Sequence, residues 1–370
     1  MTLFDGITSR IVETDRLSVH VLLRESDDTA TPPERTVVFL HGVLGSSLLW
    51  QENLQDLPSD IRAVAVDLRG YGRTENAPVD ASRGVRDFSD DLAATLTALD
   101  IPTAHLVGWS LGGAVALQYA LEHPVLSLTL QAPISPFGLG GTRRDGSRLH
   151  DDDAGTGGGT ANAAFVQRLI ARDRSADAES SPRRVFRAEF VAPGYTSEHE
   201  DVWVDALLST STAAGNYPGD SRPSPTWPGY APGTTGVLNA LAPGNLDLSG
   251  IVDVDPQPPV LWVHGELDAL ISDRSLADPN ALGELGVLPD WPGADEAPPQ
   301  PMVAQTFDVL SAYAAKGGDV TELTLPGVAH SPHLERPAAF RAALLTRIGY
   351  VGAPADPAPP TETIILRSAD

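Results

Sequence analysis

Apolar positions follow two rhythms along the chain. Short unbroken apolar runs that end in turns appear at 36–42 (TVVFLHG), 62–72 (RAVAVDLRGYG), 104–107, 127–133 (SLTLQAP), 258–268 (PPVLWVHGELD) and 319–327 (DVTELTLPG). Runs of this kind predict strands buried on both faces. Between them the spacing is helical, as in Val85, Phe88, Leu92, Leu96 and Leu99 within 84–99, with further helices expected at 50–58, 111–122 and 336–349. Residues 11–24 instead alternate, which predicts an antiparallel pair joined near Asp15-Arg16. Strands alternating with helices predict an α/β architecture, a mostly parallel central sheet flanked by helices.

The rhythm breaks twice. Residues 138–160 are rich in glycine and charge, and mobility is expected there. Three helices follow at 161–172, 182–191 and 197–209, and then a proline- and glycine-rich loop at 213–236 that carries Tyr217, Trp227 and Tyr230. The stretch 276–303 is proline-rich and longer than such connections usually are. The organisation expected is a core of 1–137 and 246–352, a mainly helical cap at 138–245 inserted after the sixth core strand, a second insertion at 276–303, and a peripheral tail at 353–370.

Composition narrows the partners. The 370-residue chain carries a net charge of −24, and Lys316 is its only lysine. A polyanion-binding surface needs clustered Lys and Arg, so no nucleic-acid partner is expected. With no cysteine, disulfides, thiolate metal sites and cysteine nucleophiles are excluded. The start, MTLFDGITSRIVETD, lacks a basic region followed by an apolar one, and no apolar run is long enough to span a bilayer. The expectation is a soluble cytoplasmic protein with no membrane partner; oligomeric state is unreadable.

The candidate chemistry lies where apolar runs end. Gly108-Trp109-Ser110-Leu111-Gly112 joins a buried strand to a helix, the pattern of a nucleophile elbow, in which a serine occupies a strained turn that only glycine neighbours tolerate. A serine needs a base, and the base an orienting carboxylate. The next strand ends at Gly265-Glu266-Leu267-Asp268 and the last runs into Pro326-Gly327-Val328-Ala329-His330. The chain order Ser110, Asp268, His330 is the one this architecture requires. Oxyanion donors are expected from the N–H groups of Leu111 and of Val43, in the loop His41-Gly42-Val43.

The stretches HGVLGSSLLW (41–50), DLRGYGRT (67–74), GWSLGG (108–113), HGELD (264–268) and GVAHSPHLERP (327–337) together resemble the α/β-hydrolase superfamily, in its capped group of esterases, lactonases and perhydrolases. The resemblance implies Ser110 as nucleophile, His330 as general base and then acid, Asp268 as its orienter, and no cofactor or metal. It implies a small-molecule ester or lactone as substrate. The two insertions depart from the family's pattern.

Other readings compete. Glu266 rivals Asp268, and His333 rivals His330, although a place at the start of a helix suits His333 better. His41 reads as structural, His264 as a satisfied strand-end histidine, His123 as a helix end, and Asp67 and Arg69 as internal braces of their loop. Gly42, Trp50, Trp109, Tyr217 and Trp227 are the expected substrate-binding residues. Asp151-Asp152-Asp153 reads as a solvated charge cluster. A cofactor-free perhydrolase or a carbon–carbon bond hydrolase would use the same triad, and a non-catalytic ligand receptor could share the fold. An epoxide hydrolase or dehalogenase would carry aspartate where Ser110 stands.

Overall fold

The computed structural model describes residues 2–24, 35–350 and 362–366. The alternating segment forms the hairpin β1 (Ile7–Glu13) and β2 (Ser18–Arg24), paired Glu13 to Ser18 at the turn. The unbroken apolar runs form β3 (Arg35–Leu40), β4 (Ile61–Val66), β5 (His105–Trp109) and β6 (Ser127–Gln131). A small hairpin, β7 (Ser221–Pro223) and β8 (Tyr230–Pro232), stands apart. The sheet resumes with β9 (Val260–Gly265) and β10 (Val320–Leu325), and β11 (Glu362–Leu366) closes it. The nine strands lie in the order β1-β2-β4-β3-β5-β6-β9-β10-β11. Neighbours from β4 to β10 are parallel, while β1, β2 and β11 add antiparallel edges. Val37, Val38, Phe39, Val107, Leu128, Leu130, Val260 and Val263 are wholly buried, as a sheet covered on both faces requires.

Helices Arg86–Ala98, Leu111–Glu122 and Pro337–Arg347 occupy the stretches where helical spacing predicts them. Several elements were not anticipated, among them a helix and an edge strand. The helix Met302–Ala315 follows the proline-rich stretch. The strand β11 falls in the expected peripheral tail yet pairs with β10; residues 351–361 and 367–370 of that tail lie outside the described residues. No described helix is long and apolar enough to cross a membrane.

Between β6 and β9 the chain forms helices Ala163–Ile170, Pro182–Val185 and Glu200–Leu208, with a π-helical turn at Phe186–Phe190. The expectation of a mobile 138–160 is corrected by the contacts of that segment. Leu139 N donates to Leu241 O, and Leu139 O accepts from Gly157 N. The buried Gln305 donates to Thr142 Oγ1 at 2.9 Å and to Arg143 O at 2.6 Å. The glycines there serve tight left-handed turns, such as Gly138 at φ 87°, and not a slack linker.

The second insertion is tied by one buried carboxylate. Asp278 accepts from Asn280 N at 2.9 Å and from Gln300 N at 2.7 Å, which joins the two ends of the stretch. Burial pushes its pKa up to about 7. A raised carboxyl contributes stability that is full below the ordinary aspartate value and lost as pH rises through about 7. Equilibrium unfolding should therefore show wild type losing up to roughly 4 kcal/mol between about pH 4 and pH 8 from this group. Asp278→Asn should flatten that slope; an unchanged slope would refute the assignment.

Candidate active site

Ser110 follows β5 directly and opens the helix Leu111–Glu122, with φ 56° and ψ −116°, a conformation that strains any residue with a side chain. Glycines permit the crowding around it. A Cβ on Gly108 would lie 2.2 Å from the carbonyl oxygen of Gly112, and one on Gly112 would lie 2.3 Å from that of Leu40. The turn is held by Ser110 N donating to Gln131 O at 2.9 Å and by Ser110 O accepting from Gly113 N at 2.9 Å.

Asp268 and His330 come from the loops after β9 and β10. The Asp268 carboxylate accepts from Leu270 N at 2.8 Å and Ile271 N at 2.9 Å, which fixes its orientation. Its other oxygen lies 2.8 Å from His330 Nδ1. Trp109, the residue before Ser110, donates from Nε1 to His330 O at 2.8 Å, and its ring centroid is 5.3 Å from the imidazole. The structure thus seats the carboxylate–imidazole pair beside the elbow. Ser110 is 6% exposed, Asp268 7% and His330 2%, so the cluster is covered.

The rivals fall elsewhere. Glu266 is exposed and accepts from Gly327 N at 3.1 Å. His333 is fully buried, paired with Gln131 at 2.7 Å and packed 4.2 Å from Trp50 and 5.0 Å from Trp109. Burial, helped by His330, holds its pKa well below the ordinary histidine value. His264 lies 2.8 Å from Glu322, and His123 ends its helix against Tyr119.

The loop after β3 runs over the serine. A Cβ on Gly42 would lie 2.9 Å from Ser110 Cβ and 3.4 Å from the Trp109 ring. His41 holds this loop: its Nδ1–H donates to Gly42 O at 2.8 Å, and its Nε2 accepts from Leu68 N at 3.0 Å. Burial lowers its pKa against the pull of Asp67, so it stays neutral and can do both. Among the described residues, neither the Val43 nor the Leu111 N–H donates to a protein acceptor. Asp67 braces the neighbouring turn, accepting from Ser47 N at 2.6 Å and Arg73 N at 2.9 Å and pairing with His20 at 2.6 Å. Burial works to raise its pKa, and the bond and charge of His20 hold it below the ordinary range. Arg69 forks onto Asp91 at 2.7 and 2.8 Å.

The aromatic residues expected to bind substrate take different places. Trp50 and Trp109 are wholly buried framework residues, with Trp50 packed between Phe39 and His333. Trp227 donates to Pro289 O at 2.9 Å and packs against Gly283, so it belongs to the second insertion. Tyr217 is buried and shares its surroundings with Glu189, whose charge adds to burial in raising its pKa. Asp152 accepts from Ser224, and Asp153 pairs with Arg148 at 3.1 Å.

Three residues near the site were missed. Phe190 meets His330 edge-on at 5.9 Å and Trp109 at 5.8 Å. Glu189 beside it feels the charge of His330. Glu335 accepts from Ala192 N at 2.7 Å and from Ala329 N at 3.0 Å, which links the segment after the π-helical turn to the loop that carries His330. Glu335 stood in the recognised stretch GVAHSPHLERP; Glu189 and Phe190 left no signal.

Residues 35–297 match the family model described as alpha/beta hydrolase fold, and the chain belongs to that family. It is similar to "Probable lysophospholipase BODYGUARD 2" of Arabidopsis thaliana, 35% identical over 34% of this chain and 28% of that protein. It is similar also to "Putative carbamate hydrolase RutD" of Pantoea ananatis, 40% identical over 26% of this chain and 34% of that protein. The chain thus spans about a third of the length of these curated relatives. Among solved structures, the esterase RhEst1 from Rhodococcus sp. ECU1013 shares the fold at TM-score 0.54 and 21% identity, over 94% of this chain and all of that one.

Proposed function

We propose that this chain is a serine hydrolase that cleaves a carboxylic ester or lactone through an acyl-enzyme. The observation that carries the reading is the Asp268–His330 pair at 2.8 Å, tied through Trp109 to the strained Ser110 at a helix start. Acyl transfer needs a base held in one tautomer beside a hydroxyl. His330 Nε2 takes the Ser110 proton as Oγ bonds to the substrate carbonyl carbon. The carbonyl oxygen becomes an oxyanion held by the N–H groups of Val43 and Leu111. The carbon–oxygen bond to the alcohol breaks, and His330 returns the proton to the leaving oxygen. Water, deprotonated by the same imidazole, then attacks the acyl carbon; the bond to Ser110 Oγ breaks, the imidazolium returns the proton to Oγ, and the acid is released. With a lactone the alcohol stays tethered, and a hydroxy acid is released. The segment 138–245 serves as the cap over this site, and its inward residues select the substrate. A screen of activated esters and lactones of graded size, with covalent labelling by a fluorophosphonate, tests the reading. Expected are turnover and labelling confined to Ser110; a chain that binds these compounds, turns none over and takes no label is a receptor instead.

A further inference from the structure

Five arginines between residues 168 and 187 are paired with acids. Arg183 and Arg187 both turn to Glu200, Arg168 pairs with Asp173, Arg174 with Asp205, and Arg184 with Glu179 at 3.0 Å. Glu189 has no hydrogen-bond or ion-pair partner among the described residues. It is half-buried and sits in the π-helical turn Phe186–Phe190, an element that recurs at functional sites. Its charge acts on two groups, His330 and Tyr217. The next residue, Phe190, packs on both His330 and Trp109. A carboxylate withdrawn from water without a counter-charge is costly, and here burial pushes its pKa up. A cation placed beside it would relieve that cost, and aromatic neighbours suit an ammonium better than a bare metal ion.

Building on the serine-hydrolase reading, we infer that Glu189, with Phe190 and Tyr217, forms a subsite for an ammonium group carried by the ester substrate. Glu189 is thus a specificity residue that binds the non-reacting end of the molecule.

The test compares matched ester pairs in which a trimethylammonium group is replaced by tert-butyl. The group ends the acyl chain in one pair and sits in the alcohol in the other. The readout is the ratio of kcat/KM, cationic over neutral, within each variant, so any general loss of activity or folding cancels. Wild type should favour the cationic ester in at least one pair by about 10-fold or more, and Glu189→Gln should erase most of that preference. Glu189→Asp should keep part of it, and Glu189→Lys should reverse it. Equal ratios in wild type and Glu189→Gln would overturn the inference while leaving the hydrolase standing. No turnover of any of the four esters, with no fluorophosphonate label on Ser110, would bring down the hydrolase reading itself.

Discussion

Replacing Ser110 with alanine should lower kcat on an activated ester by on the order of 10⁴-fold or more, and His330→Ala should do nearly the same. The two losses should not multiply, because a hydroxyl without its base and a base without its hydroxyl both leave the same incomplete unit. The double variant should therefore match either single one. Asp268→Asn should fall somewhat less far. The asparagine can keep the backbone bonds from Leu270 and Ile271, but it cannot supply the charge that steadies the imidazolium. Steady-state and single-turnover kinetics, with thermal melts to show intact folding, decide the matter. A Ser110→Ala protein that turns over near the wild-type rate would mean another residue attacks.

Gly112→Ala should cost about 3 kcal/mol or more, or prevent folding. The added methyl would lie 2.3 Å from Leu40 O and 2.8 Å from His41 O. Both obstacles are backbone, so no side chain can swing aside. The relief available is to push β3 and the helix apart, which also shifts the loop that carries Val43. The surviving folded fraction should then lose activity through a displaced oxyanion donor, by roughly 10²-fold. Gly250→Ala is the control: its nearest neighbour would be Leu121 Cδ2 at 3.6 Å, and its stability should stay within about 0.5 kcal/mol of wild type. Urea unfolding midpoints for the two variants separate a local clash from a general intolerance of alanine. Equal midpoints would contradict the close approach of strand and helix.

The residues proposed to react stand out in the sequence because each stands at the end of an unbroken apolar run, where a buried strand meets a turn. Ser110, Asp268, His330 and the His41-Gly42-Val43 loop all have that address; Glu266 shares it but is exposed, while His333 lies in the short helix Pro332–Glu335 and is buried. Facing is what sequence hides. Trp50 adjoins the site along the chain yet packs between Phe39 and His333, and Trp227 packs on a segment more than 50 residues away in sequence, bonding Pro289 with a separation of 62. The glycines of 138–160 have the composition of a slack segment, but Gln305, far along the chain, holds them with its amide. Glu189 was invisible for a similar reason. Its significance is that Arg183 and Arg187, close to it along the chain, are committed to Glu200, which is a property of the packed structure and not of any short stretch.

Glu335 fastens two things at once. One carboxylate receives an N–H from Ala192, on the covering segment, and another from Ala329, immediately before the imidazole. Moving residue 192 away would break a bond to the same carboxylate that holds the backbone beside His330. One carboxylate therefore ties the chain at residue 192 to the backbone that precedes His330.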